Sequence, residues 1–194
     1  MTVEITRTFE PGVPGEDGNT SEGEQPRTCA DITAEDERWL SIAGFCELIP
    51  SLTSAALAAA SLAPEAHTVS IALLSDAEVQ VLNKAFRGKD APTNVLSFPS
   101  ARAMRSLMNR SGPVFLGDVA LAYETVVREA QEQDKPVLHH AAHLVVHGVL
   151  HLAGYDHETG AEAGRMEAAE RHILGKSGIP DPYKDDALAP GASK

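Results

Sequence analysis

Three histidines stand at a spacing that suits a metal ion: His147, His151 and His157, in the segment His-Gly-Val-Leu-His-Leu-Ala-Gly-Tyr-Asp-His. Residues four apart lie on one face of an α-helix, so a helix here brings the first two rings together. Gly154 can supply the left-handed residue that ends the helix, after which the chain can turn His157 back to the same point. Three imidazoles around one ion leave an open position for water, as in catalytic zinc sites. We therefore predict one Zn²⁺ per chain, bound at a helix-turn.

Other side chains near this segment have less defined roles. His143 stands one helical turn before His147 and is predicted to be a neighbour of the site rather than a ligand. Asp156 and Glu158 flank His157, where either could orient an imidazole or accept a proton, or could be a solvated turn carboxylate. The remaining histidines are expected to be solvated or structural: His67, His139, His140 and His172.

The spacing His-x3-His-x2-Gly-x2-His is shared with the metzincin proteases, apart from one position. Those enzymes carry a glutamate directly after the first histidine as the general base. Gly148 occupies that position here. A peptidase at this site would lack its proton acceptor, so a metallopeptidase is the less favoured alternative.

A second segment, Phe86 to Pro99, reads Phe-Arg-Gly-Lys-Asp-Ala-Pro-Thr-Asn-Val-Leu-Ser-Phe-Pro. Residues 84–110 carry a local charge of +5 in a chain whose formal net charge is -12. A basic strip beside a metal site suits a phosphodiester substrate, although a solvated charged loop is the alternative. Within the segment, Thr93 and Ser97 could contact substrate or be ordinary turn and strand residues. The basic residues of the strip are Lys84, Arg87, Lys89, Arg102, Arg105 and Arg110.

Alternating and helical patterns predict the elements that must position these residues. Strands are expected over 67–74, 94–98 and 115–122, with 94–98 at a sheet edge along the cleft. Ser75 and Glu78 form the capping-box pattern that starts a helix over 76–86. Further helices are expected from Asp31 or Thr33 to about 48, and over 51–62, 123–133, 136–152 and 161–174. These elements predict a single α+β domain, with a small mixed β-sheet packed with about five or six α-helices.

The 194 residues fit one domain with loose ends. We expect a first strand at 1–9, an acidic Pro/Gly-rich loop or insertion at 10–28, a body at 29–176 and a flexible tail at 177–194. Cys29 and Cys46 are too few for a disulfide framework or a Cys-rich zinc module. The chain starts without the pattern of a signal peptide and contains no membrane-length apolar run, so a cytoplasmic protein is expected.

Taken together, the segments resemble the YbeY family of bacterial rRNA maturation factors, which are metal-dependent endoribonucleases. The matching pieces are Phe86 to Pro99, Leu116-Gly117-Asp118-Val119, and the run from His143 to His157, within a resemblance spanning about 31–174. The resemblance implies an α+β fold with zinc held by His147, His151 and His157. It also implies Arg87 as a functional residue in the cleft, so the predicted catalytic residues are Arg87 and His147.

The resemblance further implies cleavage of single-stranded RNA in 16S rRNA 3′-end maturation and ribosome quality control. Its implied partners are rRNA, the ribosomal small subunit and an assembly GTPase. The attacking group, either water activated by the metal or the RNA 2′-OH, stays open at this point. A different class of alternative is a non-catalytic ribosome-assembly factor whose metal only joins helix to turn, which a fourth protein ligand would favour.

Overall fold

The computed structural model describes residues 29–101, 103 and 114–184. The predicted strand at 1–9 and the acidic loop at 10–28 lie outside these residues, as do Arg102, Arg105 and Arg110. The strands are β1 (Ala30–Ala34), β2 (His67–Leu74), β3 (Val95–Pro99) and β4 (Val114–Ala122). The described ranges contain five α-helices: α1 (Phe45–Ala59), α2 (Asp76–Arg87), α3 (Tyr123–Glu132), α4 (Val137–Leu152) and α5 (Gly160–Lys176). Short 3-10 helices lie at Glu37–Ser41 and Pro64–Ala66. None of the helices described is both long and apolar enough to span a bilayer.

The four strands form one mixed sheet in the order β1-β2-β4-β3. β1, β2 and β4 run parallel to one another, whereas β3 pairs antiparallel with β4. The predicted α+β fold with a mixed sheet is therefore confirmed. Because β3 is an edge strand, one side of its backbone is not used by the sheet.

Helices cover both faces of the sheet, and the strands alternate accordingly. On one face, Ile71 and Leu73 of β2 belong to the large core built with α1, α4 and α5. On the other face, Ala72 and Leu74 pack with Val79 of α2. This layering places α4 against one face of the sheet and α2 against the other, so the two helices can meet only around the edge strand β3.

The N-terminal part of the body differs from the sequence prediction. The predicted helix from Asp31 or Thr33 to about residue 48 is wrong, because β1 occupies Ala30–Ala34 and pairs with β2. Helix α1 then begins at Phe45 and continues through Pro50, where the sequence predicted a break between two helices. A proline this close to the helix start removes only one backbone hydrogen bond, and the burial of the helix face outweighs that loss.

The start of α2 is the predicted capping box. The Ser75 side chain accepts a hydrogen bond from the Glu78 backbone, and the Glu78 carboxylate accepts one from the Ser75 N–H. Its first turn is also tied to α3, because the Asp76 carboxylate accepts hydrogen bonds from the backbone and hydroxyl of Thr125 at 2.8 Å each. The helix ends at Arg87, and Gly88 follows with φ +70°. Arg87 therefore lies in the last turn of a helix whose first turn is held by the capping box and by Thr125.

Candidate metal centre

The last turn of α4 ends in the way the sequence predicts. Gly154 has φ +95°, and its N–H donates to the carbonyl of His151 at 3.0 Å. The N–H of Tyr155 donates to the carbonyl of Leu150 at 3.0 Å, which completes a Schellman motif. This turn reverses the chain direction directly after the helix, so His157 comes back beside the two histidines of α4.

The three predicted ligands converge. The Nε2 atoms of His147 and His151 lie 3.1 Å apart, and their ring centroids are separated by 4.6 Å. The ring of His157 lies 5.6 Å from that of His147 and 4.9 Å from that of His151. One nitrogen from each ring lies within 4.8 Å of the other two. The arrangement is suitable for one shared divalent cation.

The other ring nitrogen of each helix histidine is occupied by an acceptor. Nδ1 of His147 donates to Oε1 of Glu170 at 2.9 Å, and Nδ1 of His151 donates to the carbonyl of Tyr155 at 3.1 Å. A proton held on Nδ1 leaves the lone pair on Nε2, which is the nitrogen turned toward the cluster. The protein therefore fixes both the tautomer and the direction of these two rings.

The charge states also suit metal binding. Burial lowers the pKa of His151, and the two neighbouring imidazoles lower it further, so the neutral ring that a metal needs is favoured at pH 7. Burial by itself raises the pKa of Glu170, but hydrogen bonds from two histidines and a tyrosine outweigh it and lower the pKa to about 2. Glu170 is thus an anion with no exposed surface, held by donors on every side.

Glycine at position 148 has a structural reason. A Cβ atom built there would lie 2.6 Å from Cγ1 of Val119 in β4 and 3.2 Å from Oγ of Ser97 in β3. The Ser97 hydroxyl also donates to the Gly148 carbonyl at 3.2 Å. Position 148 therefore faces the sheet where α4 packs against β3 and β4. The glutamate that a metzincin needs has no room there, which removes the basis of the peptidase alternative.

Arg87 and two of the histidines line one cleft with a volume of about 470 Å³. Arg87 comes from the end of α2 and donates to the carbonyl of Ser97 at 3.3 Å, whereas His147 and His151 come from α4 on the other face of the sheet. The edge strand β3 runs between them, as the sequence predicts. The other lining residues are Asn83, Lys89, Ala91, Pro92, Thr93, Val95, Leu96 and Ser97.

The lesser candidates divide into neighbours of the site and structural residues. His143 lies beside the site, where its Nε2 donates to Glu170 at 3.3 Å, and it is not part of the converging group. The Asp156 carboxylate accepts from the His157 backbone N–H at 2.8 Å, so it stabilises the turn, and Glu158 is exposed. Asp118 is buried in β4.

Of the basic strip, Lys84 pairs with Asp90 at 2.7 Å, whereas Lys89 lines the cleft.

Sequence reasoning missed Glu170, which lies behind the site on α5. The signal was present in the helical pattern, because Glu170 stands four residues after Met166 and three before Ile173, both of which are buried. A carboxylate in the middle of an apolar helix face requires partners, since an unpaired buried charge is costly. Those partners are histidines from α4, which the sequence alone does not connect to α5.

The donor set fits a zinc ion: three imidazole nitrogens, the two from α4 held in a fixed orientation, with neutral character favoured at His151. Among residues 29–101, 103 and 114–184, no fourth His, Cys, Asp or Glu joins the group. A structural zinc site takes four protein ligands, whereas a catalytic one takes three and keeps a position open. The site is therefore of the open type in the part of the chain described.

Comparisons with known proteins agree with the geometry. A family model described as Endoribonuclease YbeY matches residues 31–178. The Endoribonuclease YbeY of Azorhizobium caulinodans is 49% identical over 154 residues, which make up 79% of this chain and 94% of that protein. The Endoribonuclease YbeY of Nitrobacter hamburgensis is 40% identical over 183 residues, 94% of this chain and 96% of that protein. The fold is shared with a solution structure from Thermotoga maritima, with a TM-score of 0.50 at 22% identity over 85% of this chain and 99% of that one.

Proposed function

The chain belongs to the YbeY endoribonuclease family, and from that premise we propose that it is a zinc-dependent, single-strand-specific endoribonuclease of the cytoplasm. Its role would be late rRNA processing, namely 16S rRNA 3′-end maturation, and ribosome quality control. The proposed partners are rRNA, the ribosomal small subunit and an assembly GTPase. The catalytic body would be residues 29–176.

One observation carries this proposal. Two histidines of a converging set of three line the same cleft as a helix-terminal arginine and a lysine. Metal ligands suit the activation of a nucleophile, and guanidinium and ammonium groups suit the binding of phosphate oxygens. Their meeting in one cleft favours a phosphodiester substrate over a peptide.

The histidines, Glu170 and Arg87 have different roles in the proposed reaction. Zn²⁺ bound by His147, His151 and His157 would supply a Lewis acid and lower the pKa of a bound water molecule toward about 7. Glu170 accepts a hydrogen bond from the Nδ1–H of His147, which leaves Nε2 deprotonated and able to bind the ion. The Arg87 guanidinium is positioned to donate to the phosphoryl oxygens as negative charge increases on them during phosphorus–oxygen bond exchange.

The shape of the cleft suits an unpaired strand. Val95 and Ser97 of the edge strand β3 line the cleft, Thr93 lines it just before the strand, and the cations Arg87 and Lys89 line it as well. A phosphate backbone running along β3 would place its charges near those cations while its bases face away. A base-paired helix is far wider than a single strand, and this favours single-stranded RNA.

The decisive experiment measures metal content and RNA cleavage on the wild type and on His147→Ala, both made in a host that lacks its own copy of the enzyme. We expect about one zinc per wild-type chain and cleavage of a single-stranded oligoribonucleotide, with both lost in the variant. His172→Ala, an exposed histidine on α5, is the matched control and should retain both.

The products of the same assay identify the attacking group. Ends bearing a 5′-phosphate require attack by water with a 3′-oxygen leaving group, whereas 2′,3′-cyclic phosphates require attack by the RNA 2′-OH. Cleavage that persists undiminished in His147→Ala, with no metal bound, would overturn the proposal. A metal-loaded wild type that cleaves no single-stranded RNA would favour the non-catalytic assembly factor instead.

A further inference from the structure

We propose that Tyr183 and Glu170 form a positioning pair that sets the orientation of the metal ligand His147. Tyr183 lies in the segment after α5, and the contacts of that segment with the body hold it in place. The inference deepens the proposed function, and it rests on that function insofar as His147 binds the metal. Neither residue touches the cleft that holds Arg87. Tyr183 lines a neighbouring cavity that shares His147 with the cleft, so we argue that the pair acts on the cleft through His147.

Glu170 is the centre of a small hydrogen-bond network. Its side chain is fully buried between α4 and α5. Oε1 accepts from Nδ1 of His147 at 2.9 Å, while Oε2 accepts from Nε2 of His143 at 3.3 Å and from the Tyr183 hydroxyl. Both oxygens of the carboxylate are thus engaged, which fixes the rotation of the group and with it the direction of the His147 ring.

Tyr183 reaches this network from a segment that the sequence assigned to a flexible tail. Ile179 is buried, and its N–H donates to the carbonyl of Leu174 at 2.9 Å, so the chain after α5 turns back onto the body. The Lys135 ammonium donates to the carbonyl of Pro182 at 2.7 Å. The Arg171 guanidinium lies over the Tyr183 ring at 5.0 Å from its centroid. These contacts hold the phenol against α4 and α5.

The packing of the phenol indicates a specific orientation. The ring of His143 meets that of Tyr183 edge to face at 5.4 Å. Burial and the Glu170 anion both raise the pKa of the Tyr183 hydroxyl, so it stays a donor at neutral pH. A donor locked onto Oε2 prevents the carboxylate from turning away from His147. Partners of this kind behind a metal-binding histidine commonly change metal affinity by about 10- to 100-fold when removed.

A second metal ion is the competing interpretation of this cluster, because His143, His147 and Glu170 place ligand atoms within 4.8 Å of one another. The contacts argue against it. Nδ1 of His147 lies at hydrogen-bond distance from Oε1 of Glu170, and Oε2 already accepts from a hydroxyl. An ion there would have to displace these hydrogen bonds in an interior site.

The test measures the zinc dissociation constant by competition with a chromophoric chelator on the full-length chain, which does not depend on RNA cleavage. The variants are Tyr183→Phe and Glu170→Gln, and the matched control is Tyr123→Phe. Tyr123 lies in the first turn of α3, where its ring packs against Trp39, away from the site. We expect Glu170→Gln to weaken zinc binding by about 10- to 100-fold. We expect Tyr183→Phe to weaken it by about three- to tenfold, the equivalent of one hydrogen bond, and Tyr123→Phe to leave it unchanged.

A second readout separates orientation from general damage. Long-range ¹H–¹⁵N spectra of the metal-free protein report the tautomer of His147, which should be the Nδ1–H form in the wild type and mixed in Glu170→Gln. If Glu170→Gln fails to fold, Tyr183→Phe alone decides the question. Wild-type zinc affinity in Tyr183→Phe, or two zinc ions per wild-type chain, would overturn the inference while leaving the ribonuclease proposal intact. Absence of zinc binding by the wild type would instead overturn the proposed function.

Discussion

Individual residues in the cleft have separable tasks. His147 and His151 of α4 each use Nδ1 to bond a protein acceptor and keep Nε2 for the point where the three rings converge. Among the residues that the structure describes, Arg87 donates one hydrogen bond, a 3.3 Å contact to the Ser97 carbonyl, and a guanidinium has five donors. The proposed metal binding therefore depends on one set of side chains and the proposed phosphate binding on another.

Replacing Arg87 tests that separation. In Arg87→Ala we expect kcat/KM on single-stranded RNA to fall by about 100- to 1,000-fold, because a donor to the developing phosphoryl charge is lost. Zinc content should stay at the wild-type level, since the hydrogen bond of Arg87 goes to Ser97 and not to a histidine. Kinetics on a labelled oligoribonucleotide, together with metal analysis, measure both.

Lys84→Ala is the matched control for Arg87→Ala. It removes the same charge from the same helix, but Lys84 lies outside the cleft and pairs with Asp90. Its effect should stay within a few-fold, because an exposed charge of this kind is screened. Equal losses in the two variants would reduce the role of Arg87 to general electrostatics.

At the scale of elements, the site depends on how α4 ends and on what it packs against. The Schellman turn at Gly154 sets the path of the chain to His157, and Gly148 lets the helix approach β4 closely enough to place its histidines beside β3. Two glycines therefore control how the three histidine rings converge, although neither glycine belongs to the converging group. Gly154 sets the direction of the chain after α4, and Gly148 sets how closely α4 packs against the sheet.

The helix exit can be tested with Gly154→Ala. An alanine at φ +95° is strained even though open space surrounds the position, and we expect the free energy of unfolding to fall by about 1–2 kcal/mol. Zinc affinity should weaken with it, because relaxation of the turn moves His157. Urea denaturation and chelator competition measure the two effects.

Gly164→Ala is the corresponding control on α5. This glycine is exposed and lies inside a helix, and a Cβ atom added there would have open space around it. Alanine there should raise stability by roughly 0.5–1 kcal/mol and leave zinc binding unchanged. A Gly154→Ala protein that matches this control in both measurements would show that the turn does not position His157.

At the scale of the whole molecule, the imidazole of His140 is buried where α4, α3 and the start of β3 meet. His140 of α4 is 6% exposed, and its Nε2 donates to Oε2 of Glu129 in α3 at 2.8 Å. The same carboxylate oxygen accepts from the Asn94 side chain at 2.9 Å, just before β3. Burial lowers the pKa of His140 although Glu129 opposes the effect. The folded chain therefore prefers the neutral ring.

This burial predicts a dependence of stability on pH. Because the folded-state pKa lies below the ordinary value of about 6.5, the unfolded chain takes up the proton first as pH falls. Stability is thus fully present above that value and is lost as pH falls through it toward the folded-state pKa. Urea titrations of the metal-free wild type between pH 8 and pH 5 should show this loss, with His140→Gln losing less. His172→Gln should follow the wild type, and a His140→Gln curve parallel to the wild type would refute the assignment.

Much of the site was predictable because its signals are local. The spacing of His147 and His151, the glycine at 154 and the capping box at Ser75 each act within one or two helical turns, where the chain's own geometry decides the outcome. The alternation that predicts β2 is likewise local, since a period of two decides which of its residues share a face. These patterns predicted the helices, the turn and the convergence of the three rings.

The remainder was decided by contacts between distant parts of the chain. Ala30–Ala34 became a strand because β2 offered an edge to pair with, and Gly148 is required because β4 lies against α4. Glu170 and Tyr183 reach His147 from 23 and 36 residues away, so no local pattern links them to it. The amino-acid sequence by itself determined which side chains could bind a metal, because helix and turn geometry are properties of neighbouring residues. Only the tertiary structure decided what orients those side chains, namely Glu170 and Tyr183. Packing joins elements whose separation along the chain carries no information about their distance in space.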